Sequence, residues 1–221
     1  MNTNTKVALS FAGVLVAGVI AFGAIAVVQN SGPKAAPEVN ETTGLASTVE
    51  ANSYRLDDVP ESPVTVVEFL DFECEACGAF YPVVEDLREK YDGQITYIIR
   101  YFPIPSHGNA QNAALAVEAA AQQGQIEAMY NRMFETQTSW GESSESKADL
   151  FRTYAEDLGL DMVQYDASVA DPKSLERIMF DFEAGRALGV SGTPTFFIND
   201  KKVELSNIDD LDRAIADELG T

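Results

Sequence analysis

Histidine and cysteine are nearly absent from these 221 residues: His107 stands alone, with two cysteines, Cys74 and Cys77. A structural zinc site is usually closed by four Cys/His ligands. A carboxylate would have to complete one here, so no metal site is expected. A disulfide between Cys74 and Cys77 would close a ring of four residues. Cross-links stabilise mainly by restricting the unfolded chain, and more so for longer loops, so this ring is a poor staple. Basic charge is scarce too, with 35 Asp and Glu against 15 Lys and Arg, a formal net charge of −20. A nucleic-acid surface needs the opposite sign, which excludes nucleic-acid partners. There is no internal repeat, and no like-charge block long enough for a disordered acidic tail.

One stretch lacks charge altogether. Val7 to Val28 is 22 residues with Ser10 as its only polar side chain. At about 1.5 Å per residue, a helix of that length reaches roughly 33 Å, enough for a bilayer core. A cleavable signal has a shorter apolar region, about 7 to 15 residues, before a small-residue cleavage site. Ala24-Ile-Ala26 resembles such a site, but the length favours an uncleaved transmembrane anchor at 7–28. Lys6 is the only charge ahead of it, so residues 1–6 form a cytoplasmic stub and everything downstream lies outside. Residues 29–52, rich in Gly, Pro, Ala, Ser, Thr, Asn and Glu, read as a flexible linker. Residues 53–221 fit one domain with a sizeable core. With Lys6 the only charge in the first 30 residues, the remainder carries −21. That acidity favours solubility and separation from an anionic membrane surface.

The thiols sit where they are chemically most useful. Val64 to Phe72 is β-branched and aromatic, the composition of a buried strand. From Ala76 the apolar residues Phe80, Val83, Val84, Leu87 and Tyr91 recur at helical spacing. Cys74 therefore stands at a helix N-terminus, where free N–H groups and the dipole favour thiolate. Thiolate is the form that attacks disulfides. Ile95 to Tyr101 is a second buried strand, so strand, helix and strand make a parallel crossover. Helices follow at 109–123, 125–135, 148–158, 161–169 and 172–188. Ser146 and Asp149 are read as a capping box for the third of these, and Pro172 as an early helical proline. Thr195 to Ile198 and Lys202 to Leu205 form a hairpin around Asn199-Asp200, and 208–219 is a closing amphipathic helix. Removing the helical block leaves a mixed sheet with helices on both faces, with function beyond the strand ends at Cys74.

C-x-x-C after a strand, a large helical insertion, and Gly192-Thr193-Pro194-Thr195 before a final hairpin together resemble the thioredoxin fold. The insertion makes the chain similar to the DsbA-like thiol–disulfide oxidoreductases of bacteria, over roughly residues 53–219. The fold class implied is α/β, a thioredoxin-like mixed sheet with an inserted all-helical subdomain at about 107–188, preceded by one transmembrane helix. By that resemblance Cys74 is the nucleophile and Cys77 the resolving partner of a redox-active pair. Glu68 lies six residues before Cys74 in an apolar strand, where a bare charge is costly. The family places a buried acid at this spacing, which exchanges a proton with Cys77. The other reading of Glu68 is an acid reaching solvent at the sheet edge. The resemblance further implies a cis bond at Pro194 and a substrate strand paired to that loop. Thr193 would then pack against the cysteines.

The implied activity is insertion of disulfides into reduced, unfolded secreted proteins by a membrane-held monomer. A membrane reoxidase, quinone-linked by resemblance, would reset the pair, and no cofactor is implied. The competing readings are a reductase or isomerase, for example in cytochrome maturation, and a non-catalytic chaperone-like binding module. Glu73 and Glu75, expected to be exposed, flank Cys74 and disfavour its thiolate, which points to a milder oxidant than the strongest members. His107 is assigned a capping or surface role, and the alanine run 113–121 is assigned to helix packing. Trp140 fits either a substrate groove or a cover over the core.

Overall fold

The sheet is built around its most apolar segment. The computed structural model describes residues 46–221, and the strand β2 (Val64–Leu70) occupies the middle of a five-stranded sheet. The elements run β1 (Tyr54–Asp57), β2, α1 (Glu75–Lys90), β3 (Ile95–Tyr101), α2 (Ala110–Ala121), α3 (Ile126–Thr136), α4 (Ala148–Asp157), α5 (Met162–Ala170), α6 (Pro172–Ala187), β4 (Thr195–Ile198), β5 (Lys201–Lys202) and α7 (Asp210–Leu219). Strand order is β1-β3-β2-β4-β5; β2 pairs parallel with β3, and the other pairings are antiparallel. The transmembrane span expected at 7–28, the stub before it and most of the 29–52 linker lie outside the described residues. Among the described residues no helix is long and apolar enough to cross a membrane.

Period-two alternation divides β2 and β3 between two cores. Val64, Val66, Leu70, Ile95, Tyr97, Ile99 and Tyr101 face a large cluster shared with α1, α7 and the inserted helices. Val67, Phe69 and Ile98 face a smaller one completed by Phe102, Phe182 and Phe197. Both faces are covered, which is why these strands read as continuous apolar runs. The alanines at 113, 114, 116, 119 and 120 are fully buried, so α2 packs closely at the centre of the insertion. Trp140 belongs to that core: it is 1 % exposed, stands edge-on to Phe151, and donates its indole N–H to the Met133 carbonyl.

Several local expectations are revised. β1 has no counterpart in the sequence reading; it is four residues long and mostly polar. Residues 47–52, within the segment read as linker, pack onto the domain instead. Thr48 is buried, and Arg100 donates to the carbonyls of Ser47 and Thr48. The second hairpin strand is two residues, Lys201–Lys202, rather than 202–205. Asn199 and Asp200 both have positive φ, as the tight turn requires. The capping box at α4 does not form, because Lys147 is the cap residue and its N–H donates to Asn109 Oδ1. α5 and α6 are capped by the side chains of Asp161 and Asp171, with Pro172 in the first helical turn.

Candidate active site

Cys74 is the N-cap residue of α1, with extended backbone angles and no side-chain hydrogen bond capping the helix. The pKa of Cys74 is lowered from 9.0 to about 5, chiefly because the Cys77 thiol donates to its sulfur. The Thr193 side chain and the N–H groups of Cys77 and Ala76 add to the effect, and burial opposes it. As a thiol, Cys74 donates to the Thr193 carbonyl at 3.3 Å. The Thr193 hydroxyl is buried without a hydrogen-bond partner, and it lies close enough to Cys74 to help lower its pKa. The bond between Thr193 and Pro194 is cis. The four residues singled out at the two motifs thus meet at one place, although 119 positions separate Cys74 from Thr193.

Cys77 lies one turn inside the helix and is 1 % exposed. Burial pushes its thiol well above 9.0, and the charges of Glu68 and Cys74 push in the same direction. Both cysteines are free thiols. The helix start therefore holds one sulfur that ionises easily and one that does not.

Glu68 sits on the central strand, paired to Ile99 on one side and Phe196 on the other. It is 2 % exposed, so the reading of an acid reaching solvent at the sheet edge is overturned. Burial raises its pKa from 4.5 to about 7 against the lowering effect of Tyr97, whose hydroxyl donates to the carboxylate. Among the described residues no cation is bonded to it. The nearby guanidinium, Arg88, is held by Asp57, Glu85 and Glu127 at 2.6 to 2.9 Å.

The loop leading to Cys74 is anchored by two buried acids, Asp71 and Glu73. Asp71 is 1 % exposed and accepts from the N–H groups of Glu73 and Ile104 and from His107 Nδ1. Burial raises its pKa despite those donors. His107 thus has a partner at the site rather than a merely capping or surface role. Glu73 is 3 % exposed, contrary to expectation; its Oε2 accepts from the Asn109 N–H, while Oε1 has no partner. Neither Glu73 nor Glu75 is a principal cause of the Cys74 shift. Gln137, in a short 3-10 turn after α3, donates to the carbonyls of both Phe72 and Cys74 at 2.8 Å. A Cβ at Gly78 would overlap the Gln137 carboxamide, so this close approach requires glycine after Cys77.

Beside Cys74 opens a groove of about 560 Å³ formed by residues 73–76, 106–108 and 142–144. A second hollow, of about 450 Å³, is formed mainly by residues 124–128 and shares no residue with it. Among the described residues no group of acids, cysteines and histidine could hold a metal ion.

Comparison with known proteins agrees with this arrangement. The thioredoxin family model matches residues 59–217. A thioredoxin-like oxidoreductase from Silicibacter pomeroyi superposes with a TM-score of 0.64 at 27% identity, covering 77% of this chain and 94% of its own. The thiol–disulfide exchange protein alpha-DsbA2 from Wolbachia pipientis gives 0.59 at 28% identity, covering 72% and 83%. In sequence, the Na(+)/H(+) antiporter NhaA 3 of Salinispora tropica is 41% identical over 143 residues, 64% of this chain. The chain spans about a fifth of that antiporter's length, 21%.

Proposed function

This chain belongs to the thioredoxin family, in its DsbA-like branch of thiol–disulfide oxidoreductases, and on that premise we propose that it introduces disulfide bonds into proteins outside the cytoplasm. The observation that carries this reading is the split between the two sulfurs: Cys74 lowered to about 5, Cys77 raised, and Glu68 buried nearby at about 7. A stabilised Cys74 thiolate favours the reduced pair and so makes the disulfide oxidising. Sodium–proton exchange is not carried over from the antiporter relatives, since the likeness covers so little of their length.

The proposed cycle begins with the Cys74–Cys77 disulfide. A substrate thiolate attacks Cys74 Sγ, the S–S bond breaks, and its electron pair leaves on Cys77. A thiolate there is unfavourable, and Glu68, about half protonated near neutral pH, supplies the proton. A second substrate thiolate then attacks the substrate's own sulfur in the mixed disulfide. Cys74 departs as a stable thiolate, the better leaving group. Two electrons have passed from substrate to enzyme, and the substrate has gained one disulfide. Thr193 and Pro194 hold the substrate as an extended strand. A membrane reoxidase, quinone-linked by family resemblance, removes the two electrons and restores the enzyme's disulfide.

The decisive measurement is the reduction potential against glutathione. We expect a value above roughly −200 mV, and a value near −270 mV, where thioredoxin lies, would make this a reductase. Substrate oxidation that survives Cys74→Ser would point to a binding module instead. The extracytoplasmic placement rests on the uncharged run 7–28 behind Lys6. Externally added protease should remove the domain from intact cells, leaving the anchor behind. A mature chain beginning near Val27 would show that the segment is cleaved.

A further inference from the structure

A buried acid that gives up its proton must then be tolerated as an anion, and the core around Glu68 is poorly equipped for one. In the alternation of β2, Glu68 falls between Val66 and Leu70, on the face of the sheet that carries Cys77 and α1. Tyr97 on β3 lies diagonally across the strand pair, two positions before the Glu68 partner Ile99. Its hydroxyl donates to Glu68 Oε2. Among the described residues this is the carboxyl's only hydrogen bond. It is also the one influence that favours the ionised form, against burial and the charges of Glu85 and Cys74. Tyr97 is itself buried, and the Arg88 guanidinium stands 5.8 Å from its ring centroid. Asp57, Glu85 and Glu127 fix Arg88, so the ring rests against a locked cation. Burial and the Glu68 charge push the Tyr97 hydroxyl well above 10.0, which keeps it a donor near neutral pH.

We propose that Tyr97 is a positioning residue for thiol–disulfide exchange: its hydroxyl holds Glu68 Oε2 and stabilises the carboxylate in place of a counter-cation, so that the acid can take a proton from Cys77 as well as give one. The proposal rests on the disulfide-exchange reading above and adds the residue that makes Glu68 reversible. When the enzyme's disulfide closes, the Glu68 carboxylate accepts the Cys77 S–H proton. The Cys77 thiolate attacks Cys74 Sγ in a mixed disulfide, the Cys74–Cys77 bond forms, and the bound thiol leaves with the electron pair of the broken S–S bond. This step needs Glu68 ionised. Hydrogen bonds to a carboxylate favour it over its acid. Without the hydroxyl the buried charge is bare, and Glu68 stays protonated to higher pH. The other ionisable groups near Glu68 are Cys74, Cys77 and Glu85 of α1 and Tyr130 of α3; its β4 neighbour, Phe196, is apolar. The Tyr130 hydroxyl is buried without a hydrogen-bond partner, so it gives the carboxyl no such support.

The test uses the reduced full-length chain and an excess of glutathione disulfide. Cys74 captures one glutathione as a mixed disulfide, and Cys77 then expels it; acid quenching and mass spectrometry follow the two steps separately. In the parent, expulsion should quicken with pH around a midpoint near 7. In Tyr97→Phe the midpoint should rise by about one pH unit, so that expulsion at pH 6 slows about tenfold while capture by Cys74 is unchanged. Tyr130→Phe removes a hydroxyl from the same core and should keep the parent's midpoint. An unmoved midpoint in Tyr97→Phe, or an equal shift in Tyr130→Phe, overturns the proposal. If Tyr97→Phe does not fold, 3-fluorotyrosine installed at Tyr97 decides. Fluorine makes the hydroxyl a stronger donor, so the midpoint should fall below the parent's, a change of opposite sign that lost packing would not produce. A midpoint that stays or rises there overturns the proposal. A parent that forms no mixed disulfide at Cys74 overturns the exchange reading itself, and the role of Tyr97 with it.

Discussion

In the unfolded chain the Glu68 carboxyl titrates near 4.5, and in the folded protein burial lifts it to about 7. Between those values the unfolded state has released a proton that the folded state retains. Stability therefore falls as pH rises from about 4.5 to 7 and levels off above. The gap amounts to roughly 3 kcal/mol at most. Glu68→Gln removes the titration, so denaturant unfolding at pH 5 and pH 8 should differ less in the variant than in the parent by that order. Equal differences would show that Glu68 does not titrate as described. The same variant should slow the steps in which Cys77 leaves or attacks, and spare the first attack on Cys74. Unchanged rates from pH 6 to 9 would leave Glu68 a structural group only. At Cys74, alkylation of the reduced protein should rise with pH around a midpoint near 5. Thr193→Val keeps the shape but removes the buried hydroxyl, and should move that midpoint upward. An unmoved midpoint would mean that the hydroxyl does not donate to the thiolate.

The start of α1 is held from outside by Gln137, two helices later in the chain. Gly78→Ala would drive a methyl group into that carboxamide and release the carbonyls of Phe72 and Cys74. Overpacking of this kind costs about 1 to 3 kcal/mol. Gln137→Ala should also destabilise, yet the double variant should be less harmed than the sum, since the clash is gone. Additive losses in thermal unfolding would show that the two residues do not touch. Gly78 and Gln137 carry no sequence signal of this link, because the partners of Gln137 are backbone groups more than 60 positions away. What was legible from periodicity and spacing was β3 and its partner strand β2, the helix after Cys74 and the inserted helices, whereas the meeting of Thr193 and Pro194 with the thiols was implied by the resemblance to the thioredoxin fold. What was not legible had no period to reveal it. β1 is short and polar. Glu73 looked like a surface flank because its donor, the Asn109 N–H, lies 36 residues on. The Ser146 box failed because the Asn109 side chain competes for the same turn. Asp71 did leave a trace, an acid in an apolar run like Glu68, but only the fold shows it bound to His107.

Across the whole domain, the smaller sheet face is closed around a buried ion network. Arg100 on β3 and Asp181 on α6 are both 0 % exposed and meet at 2.7 Å, with Arg177 on the second carboxylate oxygen. Arg100 also reaches Ser47 and Thr48, and Arg177 reaches the Asn52 carbonyl, so one cluster ties the start of the domain to the sheet and to the insertion. Asp181→Ala leaves a buried guanidinium without its counter-charge, a change that typically costs about 3 to 5 kcal/mol. Chemical denaturation should show a loss of that size, and one below about 1 kcal/mol would mean that the cluster is hydrated in solution. The sheet has a further consequence at its margins. One edge is β5, two exposed lysines long; the other is β1, four residues whose pairing is irregular between Arg55 and Asp57. Long, flat, apolar edges recruit other strands, whereas short and charged ones repel them. A protein proposed to grip unfolded polypeptides lives among the stickiest chains in its surroundings. Edges of this kind let it touch them at the Thr193–Pro194 loop and let them go, without becoming the seed on which they aggregate.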